Sequence, residues 1–222
     1  MRHFGLLLTF LLISFLCHAQ LEIGIQAGYG FPSFLPDNSG PNEINYSAVH
    51  DNFIISIGAR ERSKKTFNLG MDLTYTNQSF KVDASTGGLG VSQTQKLAIN
   101  YGNLSLDILP QFVFGKEIKI FVYPGFFFGT TIHSYCRGTT GSWTITGKTT
   151  SDTIKGSGSS YLSSMDFGLL FGIGLDWPIS GGKFVFEADN KDYFYVFGGP
   201  SIGSAGTGYF HCTFNVGVFY KI

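Results

Sequence analysis

Beyond the first twenty residues the chain has three histidines: His50, His133 and His211. Asp51, Ser134 and Asp192 are their possible partners. A His–carboxylate or Ser–His pair could act as base and nucleophile. No nucleophile elbow or other catalytic spacing surrounds any of them, so solvated loop polarity is the expected role. Cys136 and Cys212 both fall toward one rim of the chain's layout, and an exported protein can bridge such a pair. The strands that carry them are not neighbours, so a disulfide requires a loop to fold across the mouth. Two cysteines and scattered histidines lack zinc spacing, and no metal or cofactor is implied. The glycines of Ser201–Gly208 precede no helix and make no phosphate cradle.

A larger set of charges recurs in a fixed phase. Glu22, Arg60, Asp72, Asp107, Lys119, Asp166, Asp176, Glu187 and Asp189 each sit among small or polar residues, and large apolar residues flank them. A buried carboxylate must be paired, hydrogen-bonded or protonated. Arg60 and Lys119 are the expected counter-charges, with Lys221 near the end. The set reads as a polar plug of side chains. A proton or ion path is the alternative, but acids outnumber bases without an ordered ladder.

These residues are positioned by strands. Leu21, Ile23, Ile25, Ala27, Tyr29 and Phe31 share one face, and Glu22, Gly24, Gln26, Gly28 and Gly30 share the other. The same alternation recurs over Phe53–Arg60, Phe67–Tyr75, Leu104–Ile108, Ile118–Gly129, Met165–Trp177, Phe184–Asp189 and Asn215–Ile222, giving eight strands. Phe121, Tyr123 and Phe127 blur the fifth. Short connections at Arg62–Lys65, Phe114–Lys116 and Pro178–Gly182 alternate with long loops at Pro32–Asp51, Lys81–Lys96, Ile132–Ser160 and Lys191–Gly208. The first loop, with Pro32, Pro36 and Pro41, should be irregular. In the third, Trp143–Thr146 and Asp152–Lys155 suggest a protruding hairpin. Between Leu97 and Asn103 the alternation slips, as at a bulge.

An even strand number with short turns on one rim and long loops on the other is the layout of an outer-membrane barrel. The expected fold class is therefore all-β, an eight-stranded antiparallel transmembrane barrel of up-and-down topology. A soluble ligand-binding barrel is the rival; it would point its apolar face inward. Aromatics gather at both strand ends, as in membrane girdles: Tyr29, Phe31, Phe53, Tyr75, Tyr101 and Tyr161 at the loop rim, Phe112, Phe114, Trp177 and Tyr220 at the turn rim.

Composition agrees. Of 222 residues 14% are charged and 16% aromatic, with 30 Gly and a formal net charge of zero. That balance, without a basic run, excludes a typical nucleic-acid binder. Met1–His3, the apolar run Phe4–Leu16 and the small Ala19 read as a signal peptide over residues 1–19, leaving residues 20–222 as the barrel domain.

The barrel residues resemble the PorT-like outer-membrane barrels of Bacteroidota and, more distantly, the OmpA and OmpX barrels. The resemblance rests on Asp166-Phe-Gly-Leu-Leu-Phe-Gly-Ile-Gly-Leu175, Tyr123-Pro-Gly-Phe126 and Leu104-Ser-Leu-Asp-Ile-Leu-Pro110. The ending Gly217-Val-Phe-Tyr220-Lys-Ile222 is similar to the signal read by the barrel-insertion machinery, with Ile222 where Phe is usual. Many relatives carry an inward Glu followed two residues later by Arg; here Glu187 is followed by Asp189. The resemblance implies outer-membrane lipid and the insertion machinery as partners. It also implies a non-enzymatic role as an anchor, loop-mediated binder or component of a secretion or envelope assembly. A narrow pore for small solutes and a rim-sited enzyme are the alternatives.

Overall fold

A computed structural model of the chain describes residues 21–34, 43–48, 52–61, 66–88, 91–144, 149–157, 164–198 and 209–222. The expected leader, residues 1–19, lies outside them, as do His50, Asp51, Tyr161 and the segment Ser201–Gly208.

Ten strands are described: β1 (Leu21–Phe34), β2 (Glu43–Ala48), β3 (Phe53–Glu61), β4 (Phe67–Gly88), β5 (Val91–Phe114), β6 (Lys119–Thr144), β7 (Thr149–Ser157), β8 (Met165–Ile179), β9 (Phe184–Phe197) and β10 (Tyr209–Lys221). All pairings are antiparallel. Eight of them close a ring in the order β1-β3-β4-β5-β6-β8-β9-β10, and β10 returns to β1 with Ile23 opposite Tyr220 and Tyr29 opposite Phe214. At the turn rim, Ser180–Gly182 forms a single 3-10 turn with Ser180, Gly181 and Gly182 all at positive φ. Gly suits that geometry because it has no Cβ to clash.

The ring is polar inside and apolar outside. Ile25 is 66% exposed and Ile57 58%, whereas Arg60, Asp72 and Glu187 are 0% exposed. A soluble barrel would reverse this, because exposing large apolar side chains to water forfeits their burial energy. Hydrocarbon removes that cost, and eight strands leave a lumen that side chains can fill. The soluble-barrel alternative is therefore rejected. Girdle aromatics meet at both ends: Phe53 lies 5.8 Å from Tyr75 and Phe31 6.2 Å from Phe214 at one rim, and Phe67 lies 5.5 Å from Phe112 and Phe184 5.3 Å from Tyr220 at the other. Tyr101 does not belong to the girdle. It is buried on the inner face.

Two of the long loops are largely strand. β4 and β5 run as one hairpin through Lys81–Lys96, with Lys81 opposite Ala98 and Gly88 opposite Val91. β6 continues to Thr144, and β7 folds back on it, with Trp143 opposite Thr149 and Arg137 opposite Lys155. That is the hairpin expected in the third loop, shifted toward the barrel. In the first loop, expected to be irregular, β1 continues to Phe34 and β2 pairs with β4. The result is a five-stranded protrusion, β2-β4-β5-β6-β7, rising from one side of the rim. β4 passes the last residue paired with β3, Asn77, and continues to Gly88. At about 3.3 Å per residue and a tilt of 35–45°, that is roughly 26–30 Å above the ring.

The bulge expected on the strand now called β5 is a register shift at Gly102/Asn103. The extra residue, Ile132, belongs to β6.

Candidate functional site: the charged lumen

Arg60 is the centre of the lumen. Its position on β3, two residues from Gly58 and opposite Gly70 of β4, leaves room for the guanidinium to cross the barrel. One edge pairs with the Asp72 carboxylate through both nitrogens, with Nη2 donating to Oδ2 at 3.1 Å. Nη2 also donates to Glu187 Oε1 at 2.9 Å. The guanidinium carbon stands 4.6 Å from the centre of the Phe219 ring, close enough for a cation–π contact. Gln26 on β1 donates to the same Glu187 oxygen at 2.8 Å and accepts from Ser56 Oγ at 3.2 Å.

The second cation is Lys191. Its ammonium donates to Asp72 Oδ2 at 2.5 Å and to Gln26 Oε1 at 3.4 Å, and lies 3.9 Å from Asp189 Oδ2. Asp189 also accepts from the Tyr123 hydroxyl at 2.7 Å and from Asn215 at 2.9 Å. Asp107 accepts from Thr74 at 2.9 Å, Tyr193 at 2.8 Å and Ser105 at 2.8 Å. Such donor-rich settings let carboxylates persist away from bulk water. The network ties β1, β3, β4, β5, β6, β9 and β10 together across the lumen.

β8 supplies space instead. Gly168, Gly172 and Gly174 stand opposite Phe127, Tyr123 and Phe121 of β6. A Cβ at Gly172 would lie 2.2 Å from the Tyr123 ring, and one at Gly174 2.3 Å from the Phe121 ring. These three rings blur the strand pattern because they point inward, each lying over a glycine of the adjacent strand. Phe219 covers Gly24 across the β1–β10 closure in the same way.

The remaining named residues are distributed along the lumen. Glu22 and Asp176 are buried toward the turn rim. Lys119 is half-buried opposite Asp176 and belongs to no ion pair with Arg60's carboxylates; Lys191 takes the counter-charge role expected of it. Asp166, toward the loop rim, accepts from Asn103. The sequence reading ends this strand at Asp189 and so places Lys191 in a loop; the repeat Glu187, Asp189, Lys191 is the inward-facing signal that marks it.

His211 also lies inside the ring, not in a loop. It is stacked on Tyr193 at 5.9 Å, with Nδ1 2.9 Å from Gln78 Nε2. His133 is exposed on β6, its ring centre 6.4 Å from that of Tyr75. The two histidines are not brought together. Cys136 and Cys212 are both free, so the bridge that the sequence allows is not formed. Cys136 lies on the inner face of the protrusion among Phe80, Val82, Leu97, Ile99 and Tyr101, where burial pushes its thiol above the usual range. Cys212 lies on β10 with its sulfur 3.1 Å from Asn190 Nδ2. Gly217 faces inward against Gln26, Tyr220 faces outward in the lower girdle, and the Ile222 amide donates to Leu21 O at 2.9 Å.

Comparison with known proteins follows the fold. Ail, the attachment invasion locus protein of Yersinia pestis, is 13% identical and covers 91% of this chain and 99% of its own, with a TM-score of 0.41. Neisserial surface protein A is 12% identical over 91% of this chain and 97% of its own, TM-score 0.46. A major outer membrane protein from Thermus thermophilus is 14% identical over 92% of this chain and 100% of its own, TM-score 0.44. No curated protein matches the sequence. The model of the outer membrane protein beta-barrel domain matches residues 18–191. The chain therefore belongs to the outer membrane protein beta-barrel domain family.

Proposed function

We propose that this is a non-enzymatic surface protein: the barrel is the anchor and the five-stranded protrusion is the part that meets a partner. In this reading residues 1–19 are a cleaved export signal and residues 20–222 are the barrel domain. The termini face the periplasm, and the long hairpins face outward. The kinship to PorT-like barrels and a place in an envelope or secretion assembly are the finer form of the same reading. Gly217, Tyr220 and Ile222 serve insertion, through the exposed aromatic and apolar faces that β10 presents beside its buried glycine.

One observation carries it. The lumen is spanned by Arg60, Lys191 and their carboxylates, while β4, β5 and β6 continue well beyond the ring. A filled lumen disfavours a solute path, and extended strands cost ordering entropy that a bare anchor would not need. The buried charges act as cross-links of the ring.

The test has two parts. A short-turn deletion of the segment between Phe80 and Tyr101 should leave a heat-modifiable barrel in the outer membrane and abolish capture of companions from cross-linked cells. Planar bilayers containing the wild-type barrel should carry no discrete single-channel currents. Steady unitary currents, or unchanged companions after the deletion, would overturn the reading.

A further inference from the structure

β9 interrupts the apolar face that the ring turns to lipid. From the turn rim its outward residues run Phe184, Phe186, Ala188, Asn190, Asp192, Phe194 and Val196. Asn190 and Asp192 are half-buried. The exposed Ile173 and Phe171 of β8 stand opposite them on one side, and Phe214 and Cys212 of β10 on the other. Asp192 lies eight residues beyond Phe184. At about 3.3 Å per residue and a tilt of 35–45°, it stands roughly 19–22 Å up an apolar band about 25 Å tall. Away from the strand ends it is the single Asp, Glu, Lys or Arg on the outer face of the ring among the described residues. A carboxyl at that depth is costly unless something within the membrane meets it.

The polar side chains are joined to one another by weak bonds. Asn190 Nδ2 donates to Thr213 O at 3.0 Å and to Cys212 Sγ at 3.1 Å, and the Cys212 thiol is hydrogen-bonded to the Asp192 carboxyl. Sulfur is a weak acceptor and a thiol a weak donor. The patch therefore holds one amide N–H spent on sulfur and, among the described residues, one carboxyl served by a thiol. Hydrocarbon can improve neither bond. A second copy can improve both. Two barrels related by a two-fold axis along the membrane normal bring Asn190 of each to Asp192 of the other, so every contact is made twice. Donor and acceptor differ by about 5 Å in height, a gap that the two side chains bridge.

We propose that the β9–β10 face is a lateral contact between two copies of this chain in the membrane, centred on Asn190, Asp192 and Cys212. Phe171, Ile173, Phe194 and Phe214 form its apolar surround. A different protein bearing a lone cation at this depth would satisfy Asp192 and leave the Asn190 amide on sulfur. The two-fold copy uses both groups, because donor and acceptor are balanced within one patch. The contact is independent of what the protrusion meets.

The test uses the full barrel. In density-matched zwitterionic detergent, sedimentation equilibrium should show a reversible monomer–dimer equilibrium. A hydrogen bond between spanning elements is worth about a factor of three to ten. N190L/D192L removes two and should raise the dimer dissociation constant on the order of 10- to 100-fold. Leucine suits a lipid face, so this variant should keep its heat-modifiable migration and unfold in urea no earlier than wild type. Earlier unfolding with unchanged association would mark a role within one barrel and overturn the proposal. Position is read in native membranes with copper phenanthroline as oxidant. C136S should be linked into homodimers through Cys212. L73C/C136S/C212S, whose cysteine replaces the exposed Leu73 of β4 on the far side of the ring, should not. This arm leaves Asn190 and Asp192 intact. Monomers at every concentration, equal linking through L73C, or linking of Cys212 to another protein in place of a copy would overturn the proposal.

Discussion

Replacing Arg60 by Met removes a charge and leaves a side chain of similar length. Asp72 then keeps Lys191 at 2.5 Å, and Glu187 loses its cation while keeping the Gln26 amide at 2.8 Å. Breaking a buried ion pair by removing one partner costs about 3–5 kcal/mol. Two pairs are broken here, but the surviving Lys191 contact shields Asp72, so the cost should be about 3–5 kcal/mol rather than twice that. The cation–π contact with Phe219 adds about 0.5–2 kcal/mol. The cost arises chiefly from Glu187, the carboxylate that loses its cation, so neutralising it should recover much of it. R60M/E187Q should be about 2 kcal/mol or more above R60M. The assay is urea unfolding of barrels folded in lipid vesicles, followed through tryptophan fluorescence. An R60M loss under about 1 kcal/mol, or an R60M/E187Q variant no more stable than R60M, would refute the assignment of Arg60 as the lumen's central cross-link.

Gly172→Ala places a Cβ against the Tyr123 ring and should cost about 1–3 kcal/mol in the same unfolding assay, whereas G87A, at the protrusion where nothing lies near the added carbon, should be close to neutral. Tyr123→Phe removes a donor from Asp189 and should cost about 1–3 kcal/mol, with Y123F/D189N recovering part of it in a double-mutant cycle. Reduced and non-reduced samples of the folded barrel should migrate identically on gels, because Cys136 and Cys212 are unbridged. Cys136 should react with maleimide far more slowly in the folded protein than in urea, since its thiol is buried and its pKa raised.

The membrane part of the barrel is legible because lipid outside and charge inside force a strict period of two, as along β1 and β8. The protrusion is not, for a physical reason visible in β4. Leu73 and Tyr75 are apolar and point outward to lipid, whereas Phe80 and Val82 are apolar and point inward. The strand keeps its alternation, but the apolar phase inverts where the surroundings change from hydrocarbon to water. β5 inverts likewise: Leu104 and Leu106 lie on the outer face, Leu97 and Ile99 on the inner. A search for one continuous phase reads that inversion as a loop or a slip. The lumen charges are recognisable as a phase, yet their pairing is not. Lys191 lies beyond the stretch of β9 that alternates most plainly, and Arg60 reaches Glu187 across 127 positions of chain.

The closure of β1 on β10 has a kinetic consequence. Ile23 and Tyr220 come from opposite ends of the barrel sequence, so the last contacts to form are those with the largest loop entropy. Until β10 is available, β1 and β9 both keep an unpaired row of backbone amides and carbonyls, which hydrocarbon does not tolerate. Both edges disappear in one event, when β10 seats its glycine against Gln26 and Phe219 covers Gly24, so these closing contacts convert an edged sheet into a ring that hydrocarbon accepts.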